Sequence, residues 1–98
     1  MRKGYWVAKA NVIDADKQGA YGELAEKVLD KFGGKFIIRG GNQVTKEGNE
    51  YMRNVVVEFP SYEIALQAYE SKDYQDALKI LDGGAKRLYA VVEGYEEI

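Results

Sequence analysis

Two charged residues sit deep in apolar sequence: Arg39, at the end of KFIIR, and Glu58, inside VVVEF. Arg39 has the chemistry to hold a carboxylate or a phenolate, because a guanidinium stays charged and presents a planar fork of donors. Glu58, with a pKa raised by burial, has the chemistry of a general base. Both also have a plainer use as a salt bridge, within a protomer or across a dimer, that fixes strand register. Arg53 and Glu93 lie in similar settings, with Glu93 beside Gly94 at a strand end. Trp6, Tyr21 and Tyr69 are candidates to line a pocket between helices and sheet, offering hydroxyl donors to a small aromatic or acyl ligand. Tyr21 and Tyr69 fall on the apolar stripes of their helices, where core packing with a solvated hydroxyl accounts for them more simply.

Absent residue types narrow the chemistry further. The chain has no Cys and no His. That removes disulfides, thiol nucleophiles, zinc-thiolate and iron-sulfur sites, and with them serine-histidine triads and His-ligated haem. Any proton transfer falls to Asp, Glu, Tyr, Lys or Arg-assisted water. Asp14 and Asp16 have no clustered carboxylate partners and read as helix caps, so no metal is expected. The Gly pairs Gly33-Gly34 and Gly83-Gly84 close helices instead of opening them, and neither has the spacing of a phosphate loop. No organic cofactor is expected either.

Periodicity places these residues on helices and strands. Lys3 to Val12 alternates as a strand, with Tyr5 and Val7 on one face and Trp6, Ala8, Ala10 and Val12 on the other. Asp14 or Asp16 caps a helix whose stripe is Tyr21, Leu24, Ala25, Val28, Leu29 and Phe32. Gly33 stops it, as a residue free to take positive φ at the C-cap. Phe36 to Arg39 form a second strand, expected to continue through Gln43, Val44 and Thr45. The Gly40-Gly41 pair there lets the backbone bulge or approach a ligand closely. A turn spans Lys46 to Asn49, and Met52 to Phe59 form a third strand rich in Val.

Pro60 ends that strand and Ser61 caps a helix carrying Ile64, Ala65, Ala68 and Tyr69. Ser71 and Asp73 restart the helix after a bend, with Tyr74, Ala77, Leu78 and Leu81 inward. Leu88 to Glu93 make the last strand. The order βαββαβ is that of a ferredoxin-like α+β sandwich with a four-stranded antiparallel sheet. At 98 residues the chain is read as one domain spanning residues 1–98, with no room for a second core.

Strand composition also speaks to assembly. An antiparallel sheet covered on one face alternates apolar and polar residues, yet the first and third strands are apolar on both. Two helices cover only one face, so the other wants a partner, most simply the same face of a second copy. A homodimer through sheet faces is expected. A net charge of -2 and pI near 5.2 argue against nucleic-acid binding, which needs clustered Lys and Arg. No apolar run reaches membrane-spanning length, and the chain reads as cytoplasmic.

KGYWVAKANVID, GGKFIIRGG, RNVVVEFPSYEIALQAYESKDYQDA and the closing VVEGY together resemble the domain-of-unknown-function 1330 family, from Lys3 to Tyr95. The resemblance implies a ferredoxin-like protomer of the dimeric α+β barrel superfamily, two sheets facing one another, and no established reaction. The chain departs from the family pattern at Ala15 and Lys72, where Pro is usual, and over Leu78 to Leu81, where many members carry Arg. No ligand contact through that Arg is carried over to this chain.

Three function classes are open at this point. The first is a small-molecule enzyme without metal or cofactor, doing proton-transfer, isomerase or monooxygenase-like chemistry, with Glu58 or Tyr21 as base and Arg39 stabilising an enolate-like charge. That reading comes from superfamily analogy. The second is a non-catalytic or stress-associated dimer binding a small apolar or aromatic acid in the same pocket. The third is an RNA-recognition module, which shares the element order. RNA stacking needs spaced aromatics on the third strand, and MRNVVVEF lacks them.

Overall fold

A computed structural model describes residues 2–96. The elements run β1 (Gly4–Val12), α1 (Ala15–Phe32), β2 (Lys35–Arg39), β3 (Arg53–Phe59), α2 (Tyr62–Glu70), α3 (Lys72–Leu81) and β4 (Ala85–Glu93). They build one four-stranded antiparallel sheet in the order β2-β3-β1-β4, with the helices on one face. This is the ferredoxin-like arrangement, with the second helix divided in two.

Local chemistry sets each boundary. The Asp14 carboxylate accepts from the backbone N–H groups of Asp16 and Lys17, capping α1, and Gly33 closes it at φ 74° with its N–H on the Leu29 carbonyl. Ser61 Oγ accepts from Ile64 N at 3.1 Å to start α2. Ser71 serves both sides of the bend: its hydroxyl donates to the Ala68 carbonyl and accepts from Tyr74 N.

Two strand limits differ from expectation by more than one residue. β2 ends at Arg39, because Gly40 and Gly41 both take positive φ and carry the chain out of the sheet. Gln43 to Thr45 therefore lie in a loop, where the Gln43 amide bonds the Tyr51 carbonyl instead of a ladder partner. The sheet irregularity falls earlier, at Ile37. β4 starts at Ala85, three residues sooner than expected, so Arg87 is a strand residue.

Trp6 is the centre of the core. It is 2% exposed, donates Nε1–H to the Ala65 carbonyl at 2.9 Å, and packs its ring against Phe59, Tyr69, Tyr74 and Tyr89 with centroids 4.7–6.1 Å away. Aromatic rings at those distances and tilted angles add to what area burial alone contributes. Ala65, Ala68 and Ala77 are fully buried, and their small side chains let α2 and α3 seat closely over it.

The opposite face of the sheet carries Val7, Val56 and Ala90 in one cross-strand row, with Leu88 and Val92 nearby on β4. Val7, Leu88 and Val92 are 40–54% exposed. Apolar residues thus stand on both faces of the central strands. Among the described residues, no helix is long and apolar enough to cross a membrane.

Candidate functional site

α1 turns Gln18, Tyr21, Gly22, Ala25 and Leu29 toward the sheet, the spacing of one helical face. Between that face and the sheet lies a cavity of about 70 Å³, open to solvent on one side. Its floor is Trp6, Ala8, Ala10, Val55 and Val57, and its polar edge is Arg39, Arg53 and Arg87. No Asp or Glu is among the described residues that line it.

Strand register explains the arginines. Ala10 on β1 opposes Arg53 on β3 and Arg87 on β4. The three side chains share one face, and two strand spacings put the arginine Cα atoms about 10 Å apart. Arg53 Nη1 lies near Gly40, just past the end of β2, and the Arg87 guanidinium lies over the Tyr21 and Tyr89 rings. Neither Arg53 nor Arg87 has a carboxylate within salt-bridge distance among the described residues. Two cations on one cavity wall without a counter-ion make that wall favour an anion.

Arg87 is held by aromatic groups. Its guanidinium donates to Tyr21 Oη at 3.1 Å and lies over the Tyr21 and Tyr89 rings at 5.0 and 4.7 Å. Partial burial opposes its charge, but the Tyr21 and Tyr74 oxygens more than offset this and hold its pKa above the ordinary value. The Tyr21 and Tyr74 hydroxyls are 2.5 Å apart. Burial pushes the pKa of both Tyr74 and Tyr89 up, so both are neutral phenols at physiological pH.

Trp6, Tyr21 and Arg39 line one cavity. Arg39 is half exposed there: it pairs with Glu26 on α1 at 2.5 Å and stacks on Phe36 at 4.2 Å. Its side chain separates the cavity from a shallower depression of about 230 Å³, which Glu26, Asp30 and Gly34 help to line. Its two carboxylates make that depression a poor place for an anion.

Glu58 is not in the cavity. Strand alternation turns Val55, Val57 and Phe59 toward the helices and Glu58 to the other face, so it neither meets Arg39 nor acts there as a base. Its carboxylate accepts from Lys3 Nζ at 3.0 Å and from the Tyr5 hydroxyl at 3.2 Å. The Lys3 hydrogen bond holds its pKa below the usual Glu value, the reverse of the rise expected from burial. Tyr69 packs behind the cavity, against Trp6, Tyr74 and Tyr89. Glu93 and Arg2 form an exposed ion pair at 3.4 Å.

Sequence reasoning missed Arg87, Gln18 and Tyr89. The signal for Arg87 and Tyr89 was the alternation of Ala85, Arg87, Tyr89 and Val91, visible once the strand is begun at Ala85. Gln18 follows from the α1 stripe extended back three residues from Tyr21.

A family model, the domain of unknown function DUF1330, matches residues 3–95. The chain belongs to the DUF1330 family. No curated protein matches it in sequence. Among solved structures, a protein of unknown function from Rhodopseudomonas palustris superposes with TM-score 0.77 at 15% identity, over 98% of this chain and 85% of that one. SnoaB, a cofactor-independent oxygenase from Streptomyces nogalater, gives 0.64 at 9% identity over 100% and 98%. A dimeric, ferredoxin-like protein of unknown function from Bacteroides fragilis gives 0.60 at 13% over 93% and 95%. At these identities the likeness is one of fold, and the DUF1330 chain shares the ferredoxin-like architecture with all three.

Proposed function

We propose that the protein is a homodimer that binds a small apolar or aromatic acid between α1 and the sheet and transforms it without a metal or organic cofactor. The observation that carries the acid is the row Arg53-Ala10-Arg87: two arginines without carboxylate partners among the described residues line one cavity over an apolar floor. The aromatic rings of Trp6, Tyr21 and Tyr89 suit a flat or apolar body, and the arginines suit its charged end.

With no carboxylate among the described lining residues, the chemistry rests on anion stabilisation. Cofactor-free oxidation draws its electrons from the substrate, which must first become an anion, and guanidiniums stabilise that state. Arg87 is the best-placed cation, and Tyr21, hydrogen-bonded to it, is the nearest group to pass a proton. The likeness to SnoaB supports oxygenase-like chemistry as an analogy of fold. Proton transfer and isomerisation use the same stabilised anion.

The apolar outer sheet face supports the homodimer, as do structural neighbours described as dimeric. The reading is of a cytoplasmic protein. A second reading, a binding protein without turnover, is favoured by the same want of a lining carboxylate base.

Native mass spectrometry of gently purified protein, beside Arg87→Met and Arg39→Ala, tests the site. A dimer carrying a small acid that Arg87→Met loses supports it, and bare protein throughout counts against it. Dioxygen uptake with aromatic acids that bind separates enzyme from binding protein.

A further inference from the structure

We infer that the acid accepted by this site carries a second acid group at its far end, one carboxylate for Arg53 and one for Arg87. This rests on the acid-binding reading above and names its substrate class: slender dicarboxylic acids. Three arginines line the cavity, and Arg39 among them is already neutralised by its pairing with Glu26. Arg53 and Arg87 have no carboxylate within salt-bridge distance among the described residues. The cavity thus presents two positive charges without partners, and a monoacid meets only one.

The two guanidiniums serve different ends of the cavity. Arg53 stands on β3 and its side chain runs toward β2, with Nη1 4.0 Å from the position a Cβ on Gly40 would take. The Gly40 N–H bonds the Asn54 carbonyl at 2.8 Å, which holds that corner of the chain beside β3. Arg87 stands on β4, across β1 from Arg53, where it donates to Tyr21 Oη and lies over the Tyr21 and Tyr89 rings. With β1 between their strands and Arg53 leaning away from it, the heads are roughly 10 Å apart. One carboxylate cannot bridge that distance with hydrogen bonds to both. The floor between them is Ala8, Ala10, Val55 and Val57, which offers no anion. A ligand that fills the cavity strips water from both half-buried cations, and a cation desolvated without a partner is costly. An apolar chain with an acid at each end meets both charges and the floor. A cavity of about 70 Å³ holds on the order of five waters, which is room for a slender chain.

The test is calorimetric titration of the purified protein with adipate, suberate and sebacate. Each is run beside the monoacid of the same length and its own monomethyl ester, which keeps the chain and removes one charge. Wild type, Arg53→Met and Arg87→Met are compared, with thermal melts to check folding. In wild type, at least one diacid should bind about tenfold tighter than its monoacid and its half-ester, the scale of one charge-assisted contact and more than the factor of about two that equivalent ends supply. Arg53→Met and Arg87→Met should each erase that gain, leaving diacid and half-ester alike. Equal binding of diacids, monoacids and half-esters to wild type, or a gain that survives in either variant, overturns the inference while the acid site stands. No binding of any acid to wild type overturns both.

Discussion

The hydroxyls of Tyr21 and Tyr74 meet at 2.5 Å beneath the Arg87 guanidinium, joining α1 to α3 across the back of the cavity. Tyr74 is fully buried and Tyr21 lines the cavity, so this contact ties the core to the cavity wall. Tyr74→Phe leaves the ring packing and removes the hydrogen bond, at a cost of about 1 kcal/mol, read as a lower midpoint in denaturant.

The same tyrosine sets an alkaline limit. Burial raises the Tyr74 pKa in the folded state above its ordinary value near 10. A group of this kind contributes stability that is complete below the unfolded pKa and declines as pH rises past it. Stability should therefore fall above about pH 10, and Tyr74→Phe should fall less steeply. Melting curves across that range, with phenolate absorbance followed in parallel, check this. A variant as steep as wild type would count against Tyr74 as a source of the loss.

Glu58 sets an acidic limit with the opposite sign. The Lys3 hydrogen bond depresses its folded pKa, so the stability it contributes is present above the unfolded value and lost as pH falls through the folded one. Wild type should be more stable than Glu58→Gln at neutral pH, and the two should converge below about pH 4. Thermal midpoints across that window decide it.

Gly19 and Gly22 both lie inside α1, and a Cβ on either would meet nothing within 4 Å. Helical Ala is favoured over Gly by about 0.5–1 kcal/mol, so Gly19→Ala and Gly22→Ala should each stabilise. Only Gly22 lines the cavity. Its added methyl takes up ligand space, and Gly22→Ala alone should weaken acid binding. Equal affinities in the two variants would argue that the ligand does not sit under α1.

Val7 is flanked by Val56 and Ala90 at the middle of the outer sheet face. A charge there cannot be buried against a second sheet without a large penalty. Val7→Asp should give a folded monomer where wild type is a dimer, seen by analytical ultracentrifugation. A dimer in both would place the interface elsewhere.

Much of the fold is legible along the chain because it depends on local rules. Helix stripes, the Asp14, Ser61 and Ser71 caps, the Gly33 stop and the valine-rich third strand lead to ferredoxin-like order without any long-range information. Apolar residues on both faces of β1 and β3 point to a second sheet partner in the same way. Element ends were less legible. β4 begins at Ala85 although Lys86 and Arg87 look like loop, because pairing with Asn11 and Ala10 outweighs their weak strand preference.

The site was legible only by residue type. Arg39, Trp6 and Tyr21 were found from chemistry and stripe, and alternation within VVVEF already put Glu58 on the face away from Val57. Backbone periodicity is local, so the order of residues alone settles which of them share a face of their own helix or strand. Which faces meet depends on the folded sheet: Arg53 and Arg87, 34 positions apart in the chain, flank Ala10 because β1 lies between their strands. Cross-strand register follows from the packing of the whole sheet, and no local pattern encodes it.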